Sequence, residues 1–258
     1  MNISKRLKAS AIVSRIIITT FVGMSSAQAG AIYLTGHDIL SHSNQNNYDD
    51  VVLNYLRGAG TTNEIAAADY NIGLVSSGNL SGFGTVTTHS SSFATGTDFS
   101  NYLSGIDVLV VRENLADDFL ITYKSIFTDW FNGGGDIWAD TSNGASGYYD
   151  WLPLGVAADG QGINQSTGFT ATAAGTAIGI TSNMINGFPT HSRFTSWDPA
   201  FTVLETHTSF PNDAVSLGIQ EAKIINGSII TDVPEPSTLA IFALGMMGLM
   251  SRRFKKIS

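Results

Sequence analysis

The sequence of 258 residues contains no cysteine. Disulfides, cysteine nucleophiles, thiolate zinc sites and iron–sulfur clusters are therefore excluded. An exported domain without disulfides must obtain its stability from core burial and backbone pairing.

Basic residues are scarce in the central part of the chain. Of the 13 Lys and Arg, four precede residue 30 and four follow residue 250, whereas all 21 Asp and Glu lie between Asp38 and Glu235. The central part therefore has a net charge of about −16. Such a surface repels phosphate backbones, so we expect no nucleic acid as partner, while cations remain possible ligands or counter-ions. The five central cations are Arg57, Arg112, Lys124, Arg193 and Lys223.

The apolar run near the C-terminus is short. Residues 238–250 make up 13 positions, whereas a membrane-spanning helix needs about 20. The run is apolar all round, unlike an amphipathic core helix, and four cations follow it within five residues. These cations are Arg252, Arg253, Lys255 and Lys256.

Pro234, Glu235 and Pro236 stand just before this run. The Pro-Glu-Pro motif, the short hydrophobic helix and the basic tail, in this order, resemble the PEP-CTERM sorting signal of Gram-negative bacteria. The resemblance implies processing at or near the motif by an exosortase and a transient association with the inner membrane. It covers about a tenth of the chain.

The N-terminal end has the three parts of a secretory signal peptide. A basic region is followed by an apolar stretch over residues 11–24 and by Ala27-Gln28-Ala29, which is an A-x-A cleavage site. The alternative is an amphipathic helix that belongs to the fold. We expect cleavage after Ala29, export by the secretion machinery, and a final location in the cell envelope, at the cell surface or outside the cell. The basic residues are Lys5, Arg6 and Lys8.

Strand-length apolar runs alternate with segments of helical spacing in the first part of the body. Residues 31–35 and 107–111 predict strands, and the second is apolar enough to be covered on both faces. Residues 48–58 and 116–132 predict helices, each ended by glycine. A further strand begins at residue 137.

The remaining stretches give weaker signals. Residues 71–76 and 84–89 predict two short strands, and residues 160–180 predict loops or short strands. In the last third, residues 202–205, 214–219 and 223–225 predict edge strands of the same sheet. The alternation of strands and helices predicts an α/β sandwich with a mostly parallel sheet.

A second resemblance concerns the body. The order of four predicted elements resembles the class I glutamine amidotransferase-like, flavodoxin-like fold. These elements are a first strand leading into residues 35–38, a buried strand ending at Arg112, a helix closing on Gly133-Gly134-Gly135, and a strand leaving that turn. The resemblance implies a three-layer sandwich. Catalytic members carry Cys in the following turn, where this chain has Thr141 or Ser142, and residues 191–193 and 207–209 lack the family's His-x-Glu pair. We therefore expect no amidotransferase chemistry.

Polar residues follow three of the predicted strands. In an open parallel sheet, ligands bind beyond the carboxyl ends of the strands, so these residues are expected to converge on one pocket. The candidates are His37, Asp38 and His42 after the first strand, Arg112, Glu113 and Asn114 after the central strand, and Asp140, Thr141, Ser142 and Asn143 after the next.

This pocket would support two kinds of chemistry. His37, Asp38 and His42 could hold a metal, and Ser142 with His191 could form a nucleophile and base, with Asp140 beside them. The alternatives are structural: turn caps at 37–38, a hydrogen-bonded core histidine at 191, and a helix cap at 140. The structural alternatives are the stronger, so we assign no metal, no cofactor and no catalytic residue.

Tyr148, Tyr149 and Trp151 form an aromatic group. Such rings stack on sugars, and bacteria with this sorting system often produce exopolysaccharide, so a glycan-binding surface is one alternative. Clustered aromatic side chains are more often part of a core.

The sequence thus predicts four parts: a signal peptide at 1–29, an α/β domain at 30–225, a linker at 226–236, and a hydrophobic helix with basic tail at 237–258. We expect an exosortase-sorted envelope or matrix protein whose domain is not catalytic. The alternative is a hydrolase, or a protein that binds a small ligand or glycan at the strand ends.

Overall fold

Strands and helices alternate in the first half of the body. The computed structural model describes residues 29–37, 47–57, 65–68, 86–89, 93–111, 121–140, 149–159, 163, 165–187 and 190–231. The elements up to residue 140 are β1 (Gly30–Thr35), α1 (Tyr48–Arg57), β2 (Ile65–Ala68), β3 (Val86–His89), α2 (Gly96–Leu103), β4 (Val108–Val111), α3 (Lys124–Asn132) and β5 (Asp136–Asp140).

The second half consists mainly of strands. Two short helices interrupt them, and one strand of 16 residues dominates. The elements are β6 (Val156–Asp159), β7 (Phe169–Ala171), α4 (Ala173–Ala177), α5 (Ser182–Ile185), β8 (Arg193–Trp197), β9 (Thr202–His207), β10 (Phe210–Ile225) and β11 (Ser228–Ile230).

The strands form a sheet with a parallel part and an antiparallel part. In the order β3-β2-β4-β5-β1, each neighbouring pair is parallel. Next to β1 lies β10, which runs antiparallel to β1, β8, β9 and β11. The antiparallel part continues through β6 and β7. Strand β10 therefore joins the two parts.

The predicted fold class is wrong. The sheet is mixed and curled into a half-barrel, and it does not form a mostly parallel three-layer sandwich of the amidotransferase-like type. The prediction fails at the last third of the chain, where residues 214–219 were expected in an edge strand but lie in β10, between β1 and the strands β8 and β9. The register of β10 shifts several times against β9, as expected for a strand that bends across a curled sheet.

Several local predictions are confirmed. The strands at 31–35 and 107–111 are β1 and β4, the helix at 48–58 is α1, and the strand that follows the glycine run is β5. The long helix at 116–132 is described from residue 121 and contains α3, which ends at Gly133. The predicted strand at 71–76 lies outside the described residues, whereas β2 was not predicted.

Alternation along β1 sends side chains to two apolar clusters. Ile32 and Leu34 belong to a cluster that includes Phe127 and Phe131 of α3, while Ala31 and Tyr33 belong to one that includes residues of α1. Because all six residues of β1 are buried, this strand is covered on both faces. By its internal contacts, Ala29–Asp232 forms one unit.

Candidate functional site

A buried network of polar side chains lies where β1 ends. Its members come from β1 and the residues after it, from the start of α1, from β9 and β10, and from the segment before β8. Each is at most 2% exposed. The members are Tyr33, Thr35, His37, Tyr48, Thr190, Glu205 and Ser216.

The carboxylate of Glu205 is the centre of this network. Oε1 accepts a hydrogen bond from the Tyr48 hydroxyl at 2.5 Å and lies 3.3 Å from the Tyr33 hydroxyl. Oε2 lies 2.7 Å from Nε2 of His37. Both oxygens are therefore occupied by donors within the protein, as a buried carboxylate requires.

Both ring nitrogens of His37 are also used inside the protein. Nε2 donates to Glu205, and Nδ1 lies 2.5 Å from the hydroxyl of Thr190. A neutral imidazole with its proton on Nε2 satisfies both contacts, because the Thr190 hydroxyl then donates to Nδ1. The ring also packs edge-on against Tyr48 and Phe169.

The hydroxyl groups connect the carboxylate to the sheet. The oxygens of Tyr33 and Tyr48 are 2.6 Å apart, and the Ser216 hydroxyl lies 3.2 Å from Tyr48 and donates to Thr35 at 2.9 Å. Thr35 also accepts from the backbone N–H of His37 at 3.1 Å. One chain of hydrogen bonds thus joins β1, α1, β9 and β10.

The two tyrosines remain protonated donors. Burial raises the pKa of Tyr48 well above its usual value, and the nearby negative charge of Glu205 raises it further. Burial likewise raises the pKa of Tyr33, with added contributions from Tyr48 and Glu205. Neither phenol therefore ionises near neutral pH, and both can stabilise the carboxylate.

Two of the predicted strand-end segments lie together, and the segment that contains the candidate base His191 lies beside them. Thr35 of β1 is in register with Asp140 of β5, and the backbone N–H of His191 donates to Gly36 at 3.3 Å. A Cβ on Gly36 would lie 1.9 Å from the backbone oxygen of Ser192, so only glycine permits this close approach.

The structure describes three of the predicted site residues. His37 and Asp140 are buried, at 2% and 1% exposed, and His191 is half-buried. Among the residues that the structure describes, no group of three His, Asp or Glu is arranged to hold a metal. The other candidates lie outside the described residues, so their positions remain predictions: Asp38, His42, Arg112, Glu113, Asn114, Thr141, Ser142 and Asn143.

Asp140 lies near the aromatic group. Burial, and secondarily the charge of Asp140, raises the pKa of Tyr149 well above its usual value. Tyr149 and Trp151 are at most 1% exposed and belong to the core, with Trp151 edge-on to Phe127 at 5.4 Å. These two rings cannot form a surface for glycans, and Tyr148 lies outside the described residues.

Sequence reasoning missed most of the network. Glu205 follows Thr202-Val203-Leu204 in a strand, and Tyr48 was noticed only as the start of a helix. A carboxylate next to Val203 and Leu204 in a strand is a weak signal, because such a group is buried only with partners. The identity of those partners has no local signal, since His37 and Glu205 are 168 residues apart.

Asp49 is another buried carboxylate, and its environment differs from that of Glu205. It lies in the first turn of α1 and is 1% exposed, and neither oxygen has a hydrogen-bond partner among the residues that the structure describes. Burial, and then the charge of Asp50, raises its pKa to about 6, although the nearby backbone amides of Asp49 and Asp50 act in the opposite direction. At neutral pH the ionised form of Asp49 destabilises the folded state.

Comparison with known proteins identifies the C-terminal segment. Residues 232–256 match the model of the PEP-CTERM protein-sorting motif. No curated protein matches the chain. The motif marks proteins that are exported to the cell envelope or surface by way of exosortase, and it confirms the sorting signal predicted at Pro234, Glu235 and Pro236.

Within the described parts of the chain, no helix has the length and apolarity needed to cross a membrane. The apolar run at 238–250 lies outside those parts.

Changing Asp49→Asn should stabilise the protein above pH 6. Because each pKa unit corresponds to about 1.4 kcal/mol and solvent screening reduces this value, we expect a gain on the order of 1 kcal/mol at pH 7. The gain should shrink as the pH falls from 6 toward 4, because the folded carboxyl becomes protonated while the unfolded carboxyl, with its usual pKa of 3.8, is only partly ionised. Urea unfolding at pH 4, 5, 6 and 7 measures it.

Asp129→Asn is the matched control, because Asp129 is an exposed helix residue of α3. It should change the free energy of unfolding by less than about 0.5 kcal/mol at each pH. A pH-independent effect of Asp49→Asn would contradict the assignment of a destabilising charge.

Proposed function

We propose that this chain is an exosortase-sorted component of the cell envelope or extracellular matrix, and that its body is a folded domain without catalytic activity. The sorting motif at 232–256 supports export and exosortase processing. We further propose that the body has no catalytic activity and that the protein is part of the envelope or matrix.

The observation that carries the non-catalytic role is the environment of His37. A general base needs a ring nitrogen that can take a proton from substrate. The two nitrogens of His37 are instead bonded to Thr190 and Glu205, and the ring is 2% exposed. His37, which the sequence offered as a metal-ligand candidate, therefore supports the fold, and the role of the candidate base His191 stays a prediction.

The composition of the body also fits an extracellular component. Its net charge of about −16 favours solvation and keeps copies apart through mutual repulsion. The aromatic group proposed for glycans contributes Tyr149 and Trp151 to the core, so exopolysaccharide is not part of the proposal.

A hydrolase or ligand-binding role at the strand ends is the second candidate. One observation favours it: Asp140 lies beside Thr35, and the segment with His191 is bonded to Gly36. Ser142 follows Asp140 by two residues in the sequence. A nucleophile, an acid and a histidine would then share one end of the sheet.

Changing Pro234, Glu235 and Pro236 together to Ala should abolish processing. Wild-type protein from cells with the exosortase should begin near Gly30 and lack residues 252–258, and the variant should keep its C-terminal tail and stay with the membrane fraction. Intact mass and fractionation measure both results. Thr231→Ala, just before the matched segment, is the control. Equal masses for wild type and the triple variant would contradict the proposed sorting.

Changing Ser142→Ala separates the two candidates for the body. If the domain is not catalytic, a screen with ester, amide and glycoside substrates should find no turnover in either form, and unfolding free energies should agree within about 0.5 kcal/mol. Turnover in the wild type that falls at least 100-fold in Ser142→Ala, but not in the neighbouring Ser146→Ala, would establish the hydrolase candidate.

A further inference from the structure

The folded body ends very close to the sorting motif. Strand β11 ends at Ile230, and Thr231, Asp232 and Val233 are the only residues between it and Pro234. At full extension a chain covers at most about 3.6 Å per residue, so the four steps from Ile230 to Pro234 can span no more than about 14 Å. This distance is shorter than the radius of gyration of a domain of 200 residues, which is roughly 16 Å.

Strand β11 is firmly held by the body. It pairs with β10 through Lys223–Ile230, Ile224–Ile229 and Ile225–Ser228, with Asn226 and Gly227 in the turn. Ile229 packs against the larger apolar cluster. The hairpin formed by residues 221–230 is therefore part of the folded domain, although the sequence assigns its second half to a linker.

Helix α3 holds the other strand of the hairpin. The side-chain amide of Asn132 donates to the carbonyl of Ile224 at 2.9 Å, and its oxygen accepts from the N–H of Ile224 at 2.7 Å. This two-bond clamp ties the hairpin to the domain at the residue that pairs with Ile229. The short tether to Pro234 therefore begins from a fixed point.

The hairpin also differs from the rest of the surface. Ile225 at its tip is 48% exposed, and Ile121 is the other strongly exposed large apolar residue among those described. The paired residues 223–230 contain one charged side chain, that of Lys223, whereas the body is strongly acidic. Ile225 is thus one exposed apolar side chain in a turn whose other exposed residues are polar or glycine, and a single side chain of this kind can insert into a pocket of another protein.

We infer that the hairpin at 221–230 is the surface that the exosortase contacts while it processes the motif. The inference rests on the proposed function. When Pro234 to Pro236 lie in the binding site of the exosortase, the three residues between β11 and the motif are too few to keep the hairpin away from the enzyme. The hairpin then contacts the enzyme at the edge of that binding site. Ile225 is the side chain expected to make that contact.

Pulse–chase labelling of the full-length precursor, in cells that contain the exosortase, tests the inference. Ile225→Glu should slow processing at least threefold, and Ser228→Glu in the same hairpin should also slow it. Ile121→Glu is the matched control because its side chain is 47% exposed and lies on another element; it should process within twofold of wild type. Thermal unfolding of each purified variant verifies that the domain is folded.

Lengthening the tether provides the second half of the test. Eight Gly and Ser residues inserted after Thr231 add roughly 15 Å of average reach. In the wild type, the insertion should slow processing to about the rate of Ile225→Glu, because the hairpin is no longer held against the enzyme; in Ile225→Glu it should change the rate by less than twofold. Equal rates for Ile225→Glu and Ile121→Glu, or an unchanged rate for the wild type with the insertion, would overturn the inference.

A third arm separates this inference from the proposed function. If the triple Ala variant of the Pro-Glu-Pro motif is processed like wild type, the sorting proposal itself fails. If that variant is blocked while Ile225→Glu is processed normally, sorting stands and only the role of the hairpin is rejected.

Discussion

The buried carboxylate of Glu205 is the constraint on which the arrangement of the body depends. A charge without access to water must be compensated by donors, and here these are two tyrosine hydroxyls and the ring of His37. Each donor comes from a segment distant from β9 in sequence, so the carboxylate is satisfied only when β1, α1 and β9 are all in place. Such a network favours one arrangement of these elements over apolar alternatives.

Strand β10 is the second element on which the arrangement of the sheet depends. It pairs with β1 on one side and with β8 and β9 on the other, and thereby connects the parallel part of the sheet to the antiparallel part. Its Ser216 takes part in the polar network, and its far end forms the hairpin next to the sorting motif. The same strand therefore links the core of the body to the segment that directs its export.

The elements that could be predicted from the sequence are those with local signals. Residues 48–57 show helical spacing, and residues 108–111 form an apolar run of strand length, and both are correct. The pairing of Ile32 with Ile219 has no local signal, so β10 was assigned to an edge although its six consecutive buried residues are typical of a central strand. His37 was found from its position after a strand, but its partner Glu205 was not, because tertiary contacts alone bring them together.

A double-mutant cycle between Tyr48 and Glu205 tests the central claim most directly. Tyr48→Phe, Glu205→Gln and the double variant are compared with wild type by urea unfolding at pH 7. If the carboxylate depends on the tyrosine, Tyr48→Phe alone should cost about 1–3 kcal/mol, and the coupling between the two positions should be at least about 1 kcal/mol. Additive effects within about 0.3 kcal/mol would contradict the claim that Glu205 and its donors act as one unit.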